Sequence, residues 1–291
     1  MSPVLAELEP ITSNASDLHP LELTAQKPEL EKRIHEKELA PGFKTEITEL
    51  ATALGVPEEQ FEVVAGLLDQ LIDYSPEHAN HSMRVAIGTL EAAKLLGADT
   101  NQAFIAGLLH DVGKLVVPLE VLEKPGKFNN YDRQKMSIHS KAGYKIARHY
   151  GFSNDISLAI GAHHNLQEDP YGIDDNRLTR SSRLIRDAIT IADHIDAAWS
   201  RNDDYESESQ LNHVMFVLDQ DTYGKKEISG VRKNIELDES LGYDYHSEAG
   251  NDPKINKTGI AAYIARQVMA AIIEATDRIN NELEQLELSV H

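Results

Sequence analysis

Five histidines and two aspartates recur through the middle of this 291-residue chain: His81, His110-Asp111, His139, His163-His164 and Asp193. Successive positions lie 29, 29, 24 and 29 residues apart. Two antiparallel helices of about a dozen residues, with their loops, take up about that much chain, so the spacing can return it to the same end of a helical bundle. Side chains on facing helices would then converge on one interior pocket. Imidazole nitrogens and carboxylate oxygens gathered there suit divalent first-row metals such as Fe, Mn, Ni or Zn. A single histidine on a helix is more often a surface or satisfied core residue than a ligand. His110-Asp111 carries more weight, because it ends the apolar run Gly107-Leu108-Leu109, where a polar pair would be buried at a cost that a metal offsets. His163-His164, after Asp155–Ala162, poses the same problem and suggests the same answer.

The elements that must position these groups read as helices. Segments of helix length run over Ala79–Leu96, Thr100–His110, Ser140–Tyr150, Asp155–His164 and Leu178–Ser200. The extended candidate, Leu115–Val117, is too short for a sheet. The expected class is therefore all-α, a helical bundle around a buried metal site. Residues 1–43, with Pro3, Pro10, Pro20, Pro28 and Pro41 among acidic residues, read as an arm with at most one short helix near Pro28–Leu39. Residues 44–202 form the expected helical metal-binding domain, entered by a run from Lys44 and a helix opened by Pro57-Glu58-Glu59. Residues 203–258 read as an irregular acidic insertion with one helix around Ser209–Leu218, and its length suggests a lid. Residues 259–291 return to helix. Ile260, Tyr263, Ile264, Val268, Ile272, Ala275, Ile279, Leu283 and Leu286 recur there near three-to-four spacing, for packing on the core or for a homodimer seam.

The formal charge is −20, divided as −7 over residues 1–60, −3 over 61–202 and −10 over 203–291. Such a field argues against binding duplex nucleic acid or an anionic membrane, while the less acidic middle can accept a small anionic phosphoester or nucleotide. No stretch approaches the roughly 18 apolar residues of a membrane span, and MSPVLAELEP is unlike a signal peptide, so the expected location is cytoplasmic. The absence of cysteine excludes disulfides, thiolate ligands and cysteine nucleophiles.

In their order, the motifs HSMRVA with His81, LLHDVGK with His110-Asp111, HSKAG with His139, the pair His163-His164, and IADHIDA with Asp193 resemble the HD superfamily of metal-dependent phosphohydrolases. The match runs over about residues 75–201. The histidine pair and the string His139-Ser140-Lys141-Ala142-Gly143 are most similar to the HD-GYP branch, multi-metal phosphodiesterases of cyclic di-GMP. The resemblance implies one ion held by His81, His110 and Asp193, a second by His139, His163 and His164, and Asp111 bridging them. It implies Fe or Mn first, with Ni, Zn or Mg as alternatives, and a third ion through Glu77, four residues before His81. The branch's Gly-Tyr-Pro triplet is missing: the chain reads His163-His164-Asn165-Leu166-Gln167-Glu168-Asp169-Pro170-Tyr171-Gly172-Ile173.

Two ions about 3.5–4 Å apart on one carboxylate can acidify a bridging water and hold a phosphoester for in-line attack. Lys114, one turn past His110-Asp111, can bind a phosphate oxygen as a point charge. Arg177, Arg180, Arg183 and Arg186 recur every third residue toward Asp193, and Arg183 and Arg186 are expected near substrate phosphate. Lys141 is a weaker version of the lysine idea, and His35, His149, His194 and His213 default to structural or surface roles. The expected function is a phosphodiesterase on a nucleotide or cyclic dinucleotide. The alternatives are a diiron oxygenase of the same fold, disfavoured by the histidine pair, and a catalytically silent nucleotide sensor.

Overall fold

A computed structural model describes residues 39–166, 170–201, 264, 267–272, 274–276 and 278–279. Nine α-helices run through the described part of residues 39–201: α1 Leu39–Leu54, α2 Glu58–Tyr74, α3 Pro76–Leu96, α4 Thr100–Leu109, α5 Leu119–Leu122, α6 Asn130–Met136, α7 Ile138–His149, α8 Asn154–Ala162 and α9 Arg180–Arg201. Short 3-10 turns cover Val112–Val116 and Asp175–Arg177. There is no strand among the described residues, and the class is all-α as expected.

Local signals account for the helix boundaries. Pro76 opens α3 at a position whose N–H would have no helical partner, and Gly97 at φ 70° closes it. Asp99 and Ser153 cap α4 and α8 by accepting from Gln102 and Ile156 backbone N–H groups. Asn129 and Asp132 form a reciprocal capping box on α6. The run expected from Lys44 begins earlier, at Leu39, inside the stretch read as an arm. The extended candidate is also corrected. Lys114 N–H donates to the Asp111 carbonyl at 2.8 Å and Val117 N–H to the Lys114 carbonyl at 3.0 Å, and these local bonds wind Val112–Val116 into a 3-10 turn.

Helix α4 is buried along its whole length from Ala103 to Leu109, so it lies in the middle of the bundle, against α3 on one side and α8 on the other. Phe104, Ile105 and Leu108 meet Met83 and Ala86 of α3, Ile156 and Ile160 of α8, and Ile185 and Ile189 of α9 in one continuous core. Each large side chain buried this way contributes about 1.5–3 kcal/mol. Ile264, Val268, Ile272, Ala275 and Ile279 are fully buried in the same core. These described members of the series pack on their own chain. The remainder of the arm, the insertion 203–258 and most of 259–291 lie outside the described residues.

One close approach sets the site. A Cβ on Gly113 would stand 1.9 Å from the His139 carbonyl oxygen and 2.5 Å from the Gly143 nitrogen. Glycine alone lets the turn after His110-Asp111 lie on the backbone of α7, which brings Asp111 beside His139.

Candidate metal centre

Three histidines are attached to helix ends in one way. His110 follows α4 and His163 follows α8, and the Nδ1 of each donates to the carbonyl three residues back, Gly107 at 2.8 Å and Ile160 at 2.6 Å. His139, just beyond α6, does the same to Met136 at 2.6 Å. These carbonyls sit in the last turn of a helix and lack an intrahelical N–H. A carbonyl can only accept, so Nδ1 carries the proton and each Nε2 is left as a lone pair facing inward.

The two oxygens of Asp111 divide those lone pairs. Oδ2 lies 3.3 Å from His110 Nε2 and 3.6 Å from His81 Nε2, while Oδ1 lies 3.3 Å from His139 Nε2 and 4.0 Å from His163 Nε2. Asp193 Oδ1 joins the first side, 3.1 Å from His81 Nε2. His164 joins the second, its Nε2 3.1 Å from His139 Nε2, which is itself 3.3 Å from His163 Nε2. The donor atoms of His81, His110 and Asp111 lie within 4.8 Å of one another, as do those of His139, His163 and His164. Every sequence-predicted ligand except Glu77 is thus brought to one place.

The donor set fits cations and little else. Neutral imidazole lone pairs face each other and face carboxylate oxygens, an arrangement of acceptors that needs positive charge between them. His110 Nε2 is buried with no hydrogen-bond partner. Two nitrogens held by one ion at about 2.0–2.1 Å stand roughly 3.0–3.4 Å apart, the range of the contacts around His139.

Electrostatics agree with neutral ligands. Burial, reinforced by Lys114, brings His139 down to about 4 despite Asp111, and burial with His110 and His139 nearby brings His163 to about 3. Burial, with His163 and His139 beside it, pushes His164 well down too. Burial would raise Asp111, yet the Lys114 ammonium and His110 hold it well below the carboxylate range. His81 differs: burial opposes its charge, but hydrogen bonds to Asp193 and Asp196 raise it to about 9.

Asp196 was not singled out by sequence, although Asp193 and Asp196 share a helix face at three-residue spacing. Fully buried, it accepts from His81 Nδ1 at 2.7 Å and from Arg84 Nε and Nη2 at 2.7 and 3.0 Å. This carboxylate fixes the ring so that Nε2 points at Asp111 and Asp193. His78, one turn before His81, was also missed. Its Nδ1 lies 2.9 Å from the Ser75 hydroxyl, and burial and Lys114 push its pKa well down. Tyr171 is a third omission, its ring 4.7 Å from that of His164 and 5.9 Å from that of His139. Burial raises its phenol, so the hydroxyl keeps its proton.

Lys114 lies in the site as expected, its Nζ 2.6 Å from Asp111 Oδ2. Glu77 does not: it is exposed in the first turn of α3 and lies outside both ligand groups. The arginines are corrected too. Arg186 is buried and pairs with Asp187 at 2.5 Å and Asp175 at 2.9 Å, and Arg183 donates to the Asp175 carbonyl at 3.1 Å. Both serve a neighbouring loop. Lys141 and His149 are exposed.

Residues 79–198 match the HD domain family. Two 3'3'-cGAMP-specific phosphodiesterases of Vibrio cholerae, numbers 3 and 1, are 27% and 30% identical over 177 and 172 residues. Those alignments take in 58% and 57% of this chain but 37% and 38% of the relatives. Ribonuclease Y of Thermotoga petrophila is 31% identical over 142 residues, 49% of this chain and 24% of that protein. The chain therefore spans under two fifths of the length of these relatives. Among the described residues, no helix is long and apolar enough to cross a membrane. The histidine-aspartate turn and every converging ligand from His81 to Asp193 lie inside the segment 79–198 that matches the HD domain family.

Proposed function

We propose that the chain is a phosphodiesterase that hydrolyses a cyclic dinucleotide, of the cyclic di-GMP type, at a centre of two divalent ions. The observation that carries this reading is the division of Asp111, whose two oxygens each face a separate group of imidazole nitrogens. The names of the Vibrio relatives support the substrate class. His81, His110 and Asp193 would hold one ion and His139, His163 and His164 the other, with Asp111 shared. Two such ions, when bound, would supply positive charge for the non-bridging phosphoryl oxygens and lower the pKa of a water. A sulfur-free set of imidazoles and carboxylates suits Fe or Mn. The chain's own part is to hold Asp111 ionised and the imidazoles of His139, His163 and His164 neutral. Lys114, beside Asp111, supplies a further positive charge to the phosphoryl group.

The test is anaerobic purification with Fe or Mn, followed by hydrolysis of bis(p-nitrophenyl) phosphate and of cyclic dinucleotides. Asp111→Ala should lose both ions and all turnover while its far-UV circular dichroism stays helical. Two bound ions with no turnover of any diester would refute the reading, and would favour the oxygenase or silent sensor instead.

A further inference from the structure

Where the resembling branch carries its Gly-Tyr-Pro triplet, this chain has its own construction. Ile173 N–H donates to the Gly161 carbonyl at 2.7 Å, tying the loop to the last turn of α8. The Asn165 amide donates to the Ile173 carbonyl and to Asp175 Oδ1, the latter at 2.9 Å. Arg186, 1% exposed, donates to the same Asp175 oxygen at 2.9 Å. Gly172 has φ 117°, and a Cβ there would stand 2.2 Å from the Gly161 carbonyl oxygen. A glycine, a buried arginine and Asn165, next to the histidine pair, all fix one loop.

What the loop presents is Tyr171. Its ring lies against His164, and it is near enough to Asp111 and Asp193 to feel both carboxylates. It is half-buried, and among the described residues nothing accepts a hydrogen bond from its hydroxyl. A ring needed only as a wall could be phenylalanine, whereas this one brings an unused donor beside the acceptor nitrogens of His139, His163 and His164.

We propose that Tyr171 is a substrate-contact residue whose hydroxyl donates to a phosphoryl oxygen of the ester on the His139, His163 and His164 side. The inference rests on the phosphodiester reading, and its test keeps the two separable. Tyr171→Phe retains the ring and removes the donor. Hydrogen bonds to charged groups are worth enough that kcat/KM for phosphodiesters should fall about tenfold or more, with metal stoichiometry and unfolding temperature unchanged. A second readout is calorimetric affinity of the Mn-loaded protein for inorganic phosphate, expected to weaken by about the same factor. If the wild type hydrolyses no diester but phosphate affinity still depends on the hydroxyl, the activity reading fails and this one stands. It is overturned if the Phe variant matches the wild type in both measurements, if it loses metal, or if the wild type binds no phosphate.

Discussion

Asp196→Asn is nearly isosteric and removes a single charge from a carboxylate that holds His81 from behind. Asp196 is fully buried and accepts three hydrogen bonds, from His81 Nδ1 and twice from Arg84, at 2.7–3.0 Å. Replacing such a partner of a metal-ligating histidine costs roughly 10–100-fold in metal affinity, or about 1.4–2.7 kcal/mol. The loss should be confined to one ion, because Asp196 touches His81, while His139, His163 and His164 take their orientation elsewhere. Arg84, left with a neutral partner, should also cost about 1–3 kcal/mol in folding, seen as a fall of a few degrees in the unfolding temperature. Competition against a chromophoric chelator can resolve the two binding steps. The step assigned to His81, His110 and Asp193 should weaken by the stated factor, while the other should move less than about threefold. Equal weakening of both steps, or of neither, would refute the assignment of Asp196 to one half of the site.

Two further outcomes follow from the geometry. In the metal-free protein His81 is raised to about 9, so near neutral pH its ring is cationic between Asp193 and Asp196. An ion needs the Nε2 lone pair, so uptake should expel about one proton and apparent affinity should climb with pH, levelling off above about 9. Calorimetry in buffers of different ionisation enthalpy measures that proton, and its absence would contradict His81 as a ligand. Gly113→Ala would set a methyl 1.9 Å from the His139 carbonyl oxygen, so the turn must lift off α7. We expect a loss of about 3 kcal/mol or more in thermal unfolding, together with weaker binding of both ions. An unfolding temperature within a degree of the wild type would show that the approach is not needed.

Much of the site was legible because its chemistry is local in sequence. His110-Asp111 and His163-His164 stand at the ends of apolar helices, where polar side chains have no reason to be buried unless something binds them. The 24–29-residue spacing fitted an all-α bundle, since periodic apolar positions and helix caps are properties of short segments. The helix class, the ligand types and their order were therefore determined by the sequence itself. What it left open were relations between segments. Arg183 and Arg186 looked like a phosphate-binding stripe because their spacing shows a face but not what lies opposite, and folding laid Asp175 over that face. Glu77 shares a spacing with His81 but not its depth, and depth depends on which helices close over a turn. Asp196 and Tyr171 became visible only when α9 and the 170–177 loop were set against α3 and α8. The sequence by itself decided which chemistry was available. The tertiary structure decided which charges meet, because a buried group takes its partner from whatever segment packs against it.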